Sequence, residues 1–384
     1  WIPMVGILHW VYSSAAQKGV VLPYTPTDAS IGISMWWLFF TLLCAMATHV
    51  IFGLRREVRA ARQLGQYKLE ERLGEGGMGE VYVASHALLR RPTAVKLLPA
   101  NKSSEAAVVR FEREVQQTAR LLHPNTITIF DYGRTEDGIF YYAMELLDGC
   151  ELQTVVDVDG PQSESRVVHI LAQAAAALSE AHKENLIHRD IKPANLFILR
   201  KEAVIDMVKV LDFGLVKDVK KDEEVALTKT DSITGTPLYL SPEAITDSEI
   251  LDARCDIYAL GAVGYFLLTG TPVFTGNSVV EICGHHLHTP AEPPSNRLGK
   301  EFNKPLEQAI IRCLEKDPKD RWQGAEQFRQ ALLACEGIET WTPQHADTWW
   351  HTHGDKVREI QSQEDKSLPE EQTICRHHFF QEPG

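Results

Sequence analysis

The strongest hydrophobic feature of the chain is the segment Ile31 to Leu54, which contains no Asp, Glu, Lys or Arg. At about 1.5 Å per residue in a helix, this segment is long enough to cross about 30 Å of hydrocarbon. A secretory signal peptide would have a shorter apolar region and a small-residue cleavage site. A buried core helix is the other alternative. We predict a transmembrane helix over residues 31–54.

Basic residues are unevenly distributed around this segment. Lys18 is the only Lys or Arg before it, whereas a cluster of arginines follows it: Arg55, Arg56, Arg59 and Arg62. By the positive-inside rule, the carboxyl side then lies in the cytoplasm. We expect residues 1–30 to be a partial membrane-proximal or extracytoplasmic segment of a fragment, and residues 55–66 to be a basic juxtamembrane linker. The expected location is the inner (plasma) membrane.

From Tyr67 the pattern changes to short strands, and from Ser163 to helices. Tyr67 to Val83 is typical of a strand, a glycine turn and a second strand. Further paired strands are predicted over Thr126–Tyr132 with Ile139–Leu146 and over Leu196–Leu199 with Val208–Leu211. Helices are predicted over Ser163–Lys183, Leu251–Thr269, Ser278–His288, Lys304–Glu315 and Gln323–Ala334. Residues 337–384 are polar and aromatic without periodicity, which predicts a disordered tail or the start of another domain.

Composition narrows the class of protein. Of 384 residues, 44% are hydrophobic and 24% are charged, which is ordinary for a globular chain. The formal net charge of -13 argues against nucleic acid as a partner. Seven cysteines occur without a Cys-x-x-Cys pair, so reduced thiols are expected rather than a disulfide frame or a zinc site.

The run from His188 to Asn195 concentrates groups suited to phosphoryl transfer. Asp190 can accept a proton from an attacking hydroxyl, and Lys192 can neutralise charge on a migrating phosphoryl group. Asn195 can hold a divalent cation through its side-chain oxygen. Such a run also occurs by chance, so this feature alone does not establish the chemistry.

Two further motifs support the same chemistry. Asp212 begins an Asp-Phe-Gly sequence, and a hairpin between it and Asn195 would bring both residues to one metal site. Upstream, the glycines at 74, 76 and 79 allow a backbone to approach phosphates closely and to donate N–H groups to them. Because Val81 continues as a strand and not as a helix, this turn differs from a dinucleotide-binding one.

In order, spacing and identity, these motifs resemble the bacterial, eukaryotic-like (Hanks-type) serine/threonine protein kinases over roughly Tyr67 to Cys335. The resemblance implies an α+β, bilobal protein-kinase fold with a small lobe at 67–146 and a large lobe at 147–336. It implies transfer of the ATP γ-phosphoryl group to protein Ser or Thr hydroxyls. The implied cofactors are ATP and Mg²⁺, with Mn²⁺ as an alternative.

The resemblance also assigns roles to the nucleotide and metal site. Lys96 would hold the α- and β-phosphates and pair with a glutamate of the following helix. The resemblance assigns this role to Glu114; Glu112 is two residues away from Glu114 and lies about 200° around the helix from it. Asn195 and Asp212 would bind the metal. Together with Gly74, Gly76 and Gly79, the nucleotide-binding residues would be Val81, Ala94, Met144 as gatekeeper, Glu145, Leu147 and Leu196.

A last group of residues concerns structure and regulation. Arg189 next to Asp190 is typical of a kinase whose activation segment can be ordered by phosphorylation. Thr228 and Thr230 match the paired autophosphorylation sites of similar kinases. Trans-autophosphorylation would occur between membrane-tethered copies, with a homodimer as one arrangement. Thr236 and Lys192 agree with Ser/Thr specificity. The structural residues would be the pair Glu243 and Arg321 and the loop anchor Asp256, although Ser241 departs from the usual Ala-Pro-Glu.

Two other functions compete with this interpretation. A kinase-like receptor or scaffold without catalysis is disfavoured because the catalytic set from Lys96 to Asp212 is intact. A small-molecule kinase is disfavoured because the segment leading to Glu243 forms a peptide platform in the resembled family. The expected partners are therefore protein substrates and the membrane.

Overall fold

The computed structural model describes residues 2–19, 38–44, 46, 63–76, 79–98, 112, 115–135, 139–200, 206–213, 237–246 and 251–366. The chain divides into two compact units, Trp1–Leu64 and Gly65–Gly384. The second unit contains the two lobes that the resemblance predicts.

The first unit contains the helix α1, Ile2–Gln17, and the two-residue strand β1, Gln63–Leu64. Residues 38–44 and 46 are also helical, and they lie in the predicted membrane segment. The rest of that segment is outside the described residues. Within the described ranges, no helix combines the length and the apolar character that a bilayer crossing requires.

The small lobe is built on an antiparallel sheet whose strands follow the spatial order β2-β3-β4-β6-β5. The predicted strands around the glycine turn and the predicted pair after residue 126 are both present. Gly79 has φ +147°, and a Cβ there would lie 1.9 Å from the Leu97 carbonyl oxygen, so only glycine fits. The strands are β2 Tyr67–Gly76, β3 Gly79–His86, β4 Pro92–Leu98, β5 Ile129–Arg134 and β6 Phe140–Glu145.

A second sheet of three strands lies where the large lobe begins. It consists of β7 Gly149–Glu151, β8 Leu196–Leu199 and β9 Met207–Val210, and β8 pairs with both neighbours in antiparallel fashion. Leu196 lies opposite Val210, which confirms the predicted hairpin. The apolar residues of this hairpin are buried. The catalytic run precedes β8 and Asp212 follows β9, so the hairpin holds both at one end of the sheet.

The rest of the large lobe is helical. Ser163 caps the central alanine-rich helix α3 by accepting a hydrogen bond from the Arg166 N–H, and α5 is buried along almost its whole length. Gly270 ends α5 in the left-handed conformation, with φ 73°. The helices are α2 Leu152–Asp159, α3 Glu164–Lys183, α4 Pro242–Thr246, α5 Arg254–Thr269, α6 Val279–His288, α7 Pro294–Leu298, α8 Lys304–Cys313 and α9 Ala325–Leu333.

A buried ion pair joins α4 to the segment before α9. The two terminal nitrogens of Arg321 each donate to one carboxylate oxygen of Glu243, both at 2.7 Å, and the Arg321 side chain is fully buried. The Arg321 guanidinium also donates to the carbonyl oxygens of Glu315, Lys316 and Arg254. With its donors satisfied in this way, the buried cation holds the end of the Ser-Pro-Glu segment against the helical core.

The prediction of a disordered tail over residues 337–384 is wrong for residues 343–366. Pro343–Lys366 forms the helix α10, which packs against α2. Trp349 is 7% exposed and Trp350 is 6% exposed. Their indole nitrogens donate to the carboxylates of Asp159 and Asp206, at 2.9 and 3.0 Å. Burial of these two large side chains explains why the segment is ordered. Residues 367–384 lie outside the described part of the chain.

Candidate active site

The catalytic run is a short loop that ends in a 3₁₀ turn at Pro193–Asn195. One carboxylate oxygen of Asp190, Oδ2, accepts hydrogen bonds from Lys192 Nζ at 2.8 Å and from Asn195 Nδ2 at 3.0 Å. Within the described part of the chain, no hydrogen bond reaches Oδ1 of Asp190. The second carboxylate oxygen is therefore available to a hydroxyl group that enters the site.

Asp256, at the start of α5, anchors this loop from below. Its carboxylate accepts the backbone N–H groups of His188 and Arg189, both at 2.8 Å, and lies 2.8 Å from His182 Nε2. Arg189 has φ 66°, a left-handed conformation that costs a non-glycine residue about 1–2 kcal/mol. Burial alone would raise the pKa of Asp256, but the bonds from His182 and His188 hold the pKa below its usual value.

The β8–β9 hairpin brings Asn195 and Asp212 towards each other. The Leu211 N–H donates to the Asn195 carbonyl oxygen at 2.9 Å, so the residue before Asp212 is bonded to the residue before β8. The Asn195 side-chain nitrogen donates to Asp190. Among the described residues, no donor reaches the side-chain oxygen of Asn195, Oδ1. One amide oxygen and one carboxylate are ligands that Mg²⁺ prefers, so these residues fit the predicted metal.

Asp212 joins the two lobes through both of its carboxylate oxygens. Lys96 Nζ lies 2.8 Å from Oδ2, and the Tyr142 hydroxyl donates to Oδ1 at 2.9 Å. Burial by itself would raise the pKa of Asp212. The charge of Lys96 and the hydrogen bonds from Lys96 and Tyr142 outweigh burial and hold that pKa below its usual value. Asp212 is therefore a carboxylate at neutral pH, which is the form that binds a cation.

The predicted adenine-binding residues lie on the strands that border this site. Val81 is on β3, opposite Lys96, and Ala94 is on β4, opposite Met144. Leu196 begins β8 and is fully buried. Glu145 ends β6, and Leu147 follows it in the link between the lobes.

Two further contacts at this site were not predicted from the sequence. Lys209 Nζ lies 2.6 Å from the Glu145 carboxylate, which ties the link between the lobes to β9. Tyr142 contacts Asp212, although the two residues are 70 positions apart in the chain. A lysine in the apolar strand β9 was a visible signal, because a buried charge needs a partner. Tyr142 carried no comparable signal.

Several predicted residues lie outside the described part of the chain. They are Glu114, Thr228, Thr230 and Thr236. Glu112, the alternative partner for Lys96, is described and lies 3.5 Å from Gln116. The roles of these residues remain predictions.

Comparison with known proteins gives consistent results. The protein kinase domain family matches residues 67–333. The serine/threonine-protein kinase pkn3 of Myxococcus xanthus is 40% identical over 274 residues, which cover 71% of this chain and 50% of that protein. The serine/threonine-protein kinase PknB of Mycobacterium tuberculosis is 38% identical over 278 residues, which cover 71% of this chain and 43% of that protein.

Solved structures show the same fold. A crystal structure of the PknI kinase domain of Mycobacterium tuberculosis matches 71% of this chain and 96% of its own, with a TM-score of 0.55 and 26% identity. The match therefore supports a bilobal arrangement with a strand-rich small lobe and a helical large lobe. The chain spans about half, or less, of the length of the curated relatives described above.

Proposed function

The chain belongs to the protein kinase domain family and carries a serine/threonine kinase domain of the bacterial Hanks type, and from this premise we propose that it transfers the γ-phosphoryl group of ATP to Ser and Thr hydroxyls of proteins. The observation that carries the proposal is the Asp190 carboxylate. One of its oxygens is bonded to Lys192 and Asn195, and no hydrogen bond reaches the other from the residues that the structure describes.

In this proposal Asp190 is the general base. Its Oδ2 is held by two donors, so the carboxylate plane is fixed and Oδ1 can accept a hydrogen bond from the substrate hydroxyl. Removal of the hydroxyl proton as the oxygen attacks phosphorus is worth about 10²–10⁴ in rate. Asp256 supports this function because it fixes the backbone that carries Asp190.

The cations of the site have separate tasks. Lys192, bonded to the base, stabilises the negative charge that develops on the migrating phosphoryl group. Lys96 orients the α- and β-phosphates together with the N–H groups of the glycine turn. Asn195 and Asp212 would hold Mg²⁺, which neutralises charge on the phosphates when bound. Through these contacts the residues place the γ-phosphate in line with the attacking oxygen.

The acceptor specificity can be tested with matched peptides. The experiment compares phosphoryl transfer to three peptides that differ only in having Ser, Thr or Tyr at the acceptor position. We expect transfer to the Ser and Thr peptides and no measurable transfer to the Tyr peptide. Preferred transfer to Tyr would contradict the assignment.

We further propose that autophosphorylation of Thr228 or Thr230 activates the enzyme. Arg189 supports this, because it is a cation beside the base that a phosphothreonine of about −1.5 to −2 charge could pair with. The Thr228→Ala/Thr230→Ala double variant should lose most of its activity towards a peptide, by about 10-fold or more. Incorporation of phosphate and peptide activity are measured together. Unchanged activity would contradict the proposal.

We also propose that residues 31–54 anchor the chain in the inner membrane with the kinase domain in the cytoplasm. The uncharged apolar run and the arginine cluster after it support this orientation. The chain of residues 1–384 should remain in the membrane pellet after an alkaline carbonate wash, and a chain without residues 1–54 should not. Release of the 1–384 chain by the wash would contradict the anchor.

A further inference from the structure

Lys96 and Tyr142 form a cross-strand pair that converges on a single carboxylate. They lie directly opposite each other in the antiparallel register of β4 and β6, so their side chains point to the same face of the sheet. Lys96 reaches Oδ2 of Asp212 at 2.8 Å, and Tyr142 reaches Oδ1 at 2.9 Å. The two donors therefore hold the two oxygens of the carboxylate from adjacent strands.

Burial makes the contact of Tyr142 restrictive. Its side chain is 2% exposed and belongs to a small apolar cluster with Phe140 and Val115. From within this packed cluster the hydroxyl donates to the Asp212 carboxylate. The ring is packed and its acceptor is charged. Moving the hydroxyl away from Asp212 would therefore break a charge-assisted hydrogen bond.

Two bonds restrict Asp212 more than one would. The terminal torsion of an aspartate has a broad energy profile. Lys96 is a flexible point charge, so a carboxylate bonded only to Lys96 could still rotate about this torsion. A second hydrogen bond, donated to the other carboxylate oxygen of Asp212 by the hydroxyl of the rigidly packed Tyr142 ring, fixes the carboxylate plane. Each carboxylate oxygen can accept a second interaction, so neither bond excludes a metal ion.

We propose that Tyr142 is a positioning residue for the metal site, and that its hydroxyl orients the Asp212 carboxylate for binding of a divalent cation with ATP. The proposal rests on the function proposed above. Tyr142 lies two positions before Met144, and the proposal gives it a part in metal binding. An apolar side chain at this position would only fill the core. The outer contacts of metal ligands typically contribute 10–100-fold to metal affinity.

The test is Tyr142→Phe, which removes the hydroxyl and keeps the ring. The matched control is Tyr141→Phe on the same strand, because Tyr141 is also buried but faces the opposite side. Binding of Mn²⁺ to the full chain is measured by electron paramagnetic resonance with a non-hydrolysable ATP analogue present. Binding of the analogue without metal and the thermal midpoint are measured on the same samples.

We expect Tyr142→Phe to weaken Mn²⁺ binding about 10-fold, with metal-free nucleotide binding unchanged within about twofold, and Tyr141→Phe to leave both unchanged. Equal Mn²⁺ affinity in wild type and Tyr142→Phe would overturn the proposal. Equal losses of metal-free and metal-dependent binding, with a lower thermal midpoint, would also overturn it by showing a packing role only. Failure of the proposed function is distinguishable, because wild type would then bind Mn²⁺ and nucleotide without transferring phosphate.

Discussion

Replacement of Asp190 by asparagine is expected to lower the rate of phosphoryl transfer by about 100-fold or more. The amide has nearly the same shape as the carboxylate, but it cannot accept the proton of the substrate hydroxyl. It also removes the negative charge that holds Lys192 at 2.8 Å. ATP binding should change little, because the nucleotide contacts are assigned to other residues. Initial rates with a peptide substrate and ATP affinity are measured for both proteins.

A suitable control for Asp190→Asn is Asp157→Asn. Asp157 is an exposed residue of α2, where it accepts a hydrogen bond from Gln153 at 2.9 Å. The same chemical change at this position should leave the rate within about twofold of wild type, as expected for a surface substitution. If Asp190→Asn kept more than about a tenth of the wild-type rate, the assignment of Asp190 as general base would be wrong.

Replacement of Trp350 by alanine is expected to lower the free energy of unfolding by about 3–5 kcal/mol. The indole is 6% exposed, and its N–H donates to Asp206 Oδ1 at 3.0 Å. Asp206 is fully buried with Arg166, at 2.9 Å, so the change both creates a cavity and removes a donor from a buried charge. Chemical denaturation followed by tryptophan fluorescence and circular dichroism measures the loss.

The neighbouring position provides the control for Trp350→Ala. His351 lies on the same helix with its side chain 77% exposed, so His351→Ala should change stability by no more than about 0.5 kcal/mol. Equal stability of Trp350→Ala and His351→Ala would show that the Trp350 side chain adds nothing to the stability of the large lobe. The expected result instead makes α10 an integral part of this lobe, although it lies beyond the matched family domain at 67–333.

The parts of the fold predicted from the sequence were those set by local pattern. The glycine turn requires φ +147° and a close approach at Gly79, and the Leu196–Leu199 hairpin follows from two short apolar runs. The side chains of Asp190, Lys192 and Asn195 are in contact because these residues are neighbours in one loop, and such proximity can be predicted from a local motif.

The hydrophobic pattern did not predict α10, because polar residues and histidines obscure the apolar stripe of this helix. Ala346, Trp349, Trp350 and Val357 are buried and follow helical spacing, so the periodic signal was present. The acceptor of the Trp350 indole N–H could not be predicted, because Asp206 lies far away in the chain, after β8 and before β9. The Tyr142 contact with Asp212 was missed for the same reason: register between strands, and not local pattern, decides which side chain meets that carboxylate.

The most direct test of the central claim uses the chain of residues 1–384 and [γ-³²P]ATP, with and without Mg²⁺, followed by acid hydrolysis and identification of the labelled amino acids. The proposed function predicts label on serine and threonine that depends on the metal. Measurable ATP binding without any transferred label would contradict it and would favour a kinase-like scaffold without catalysis.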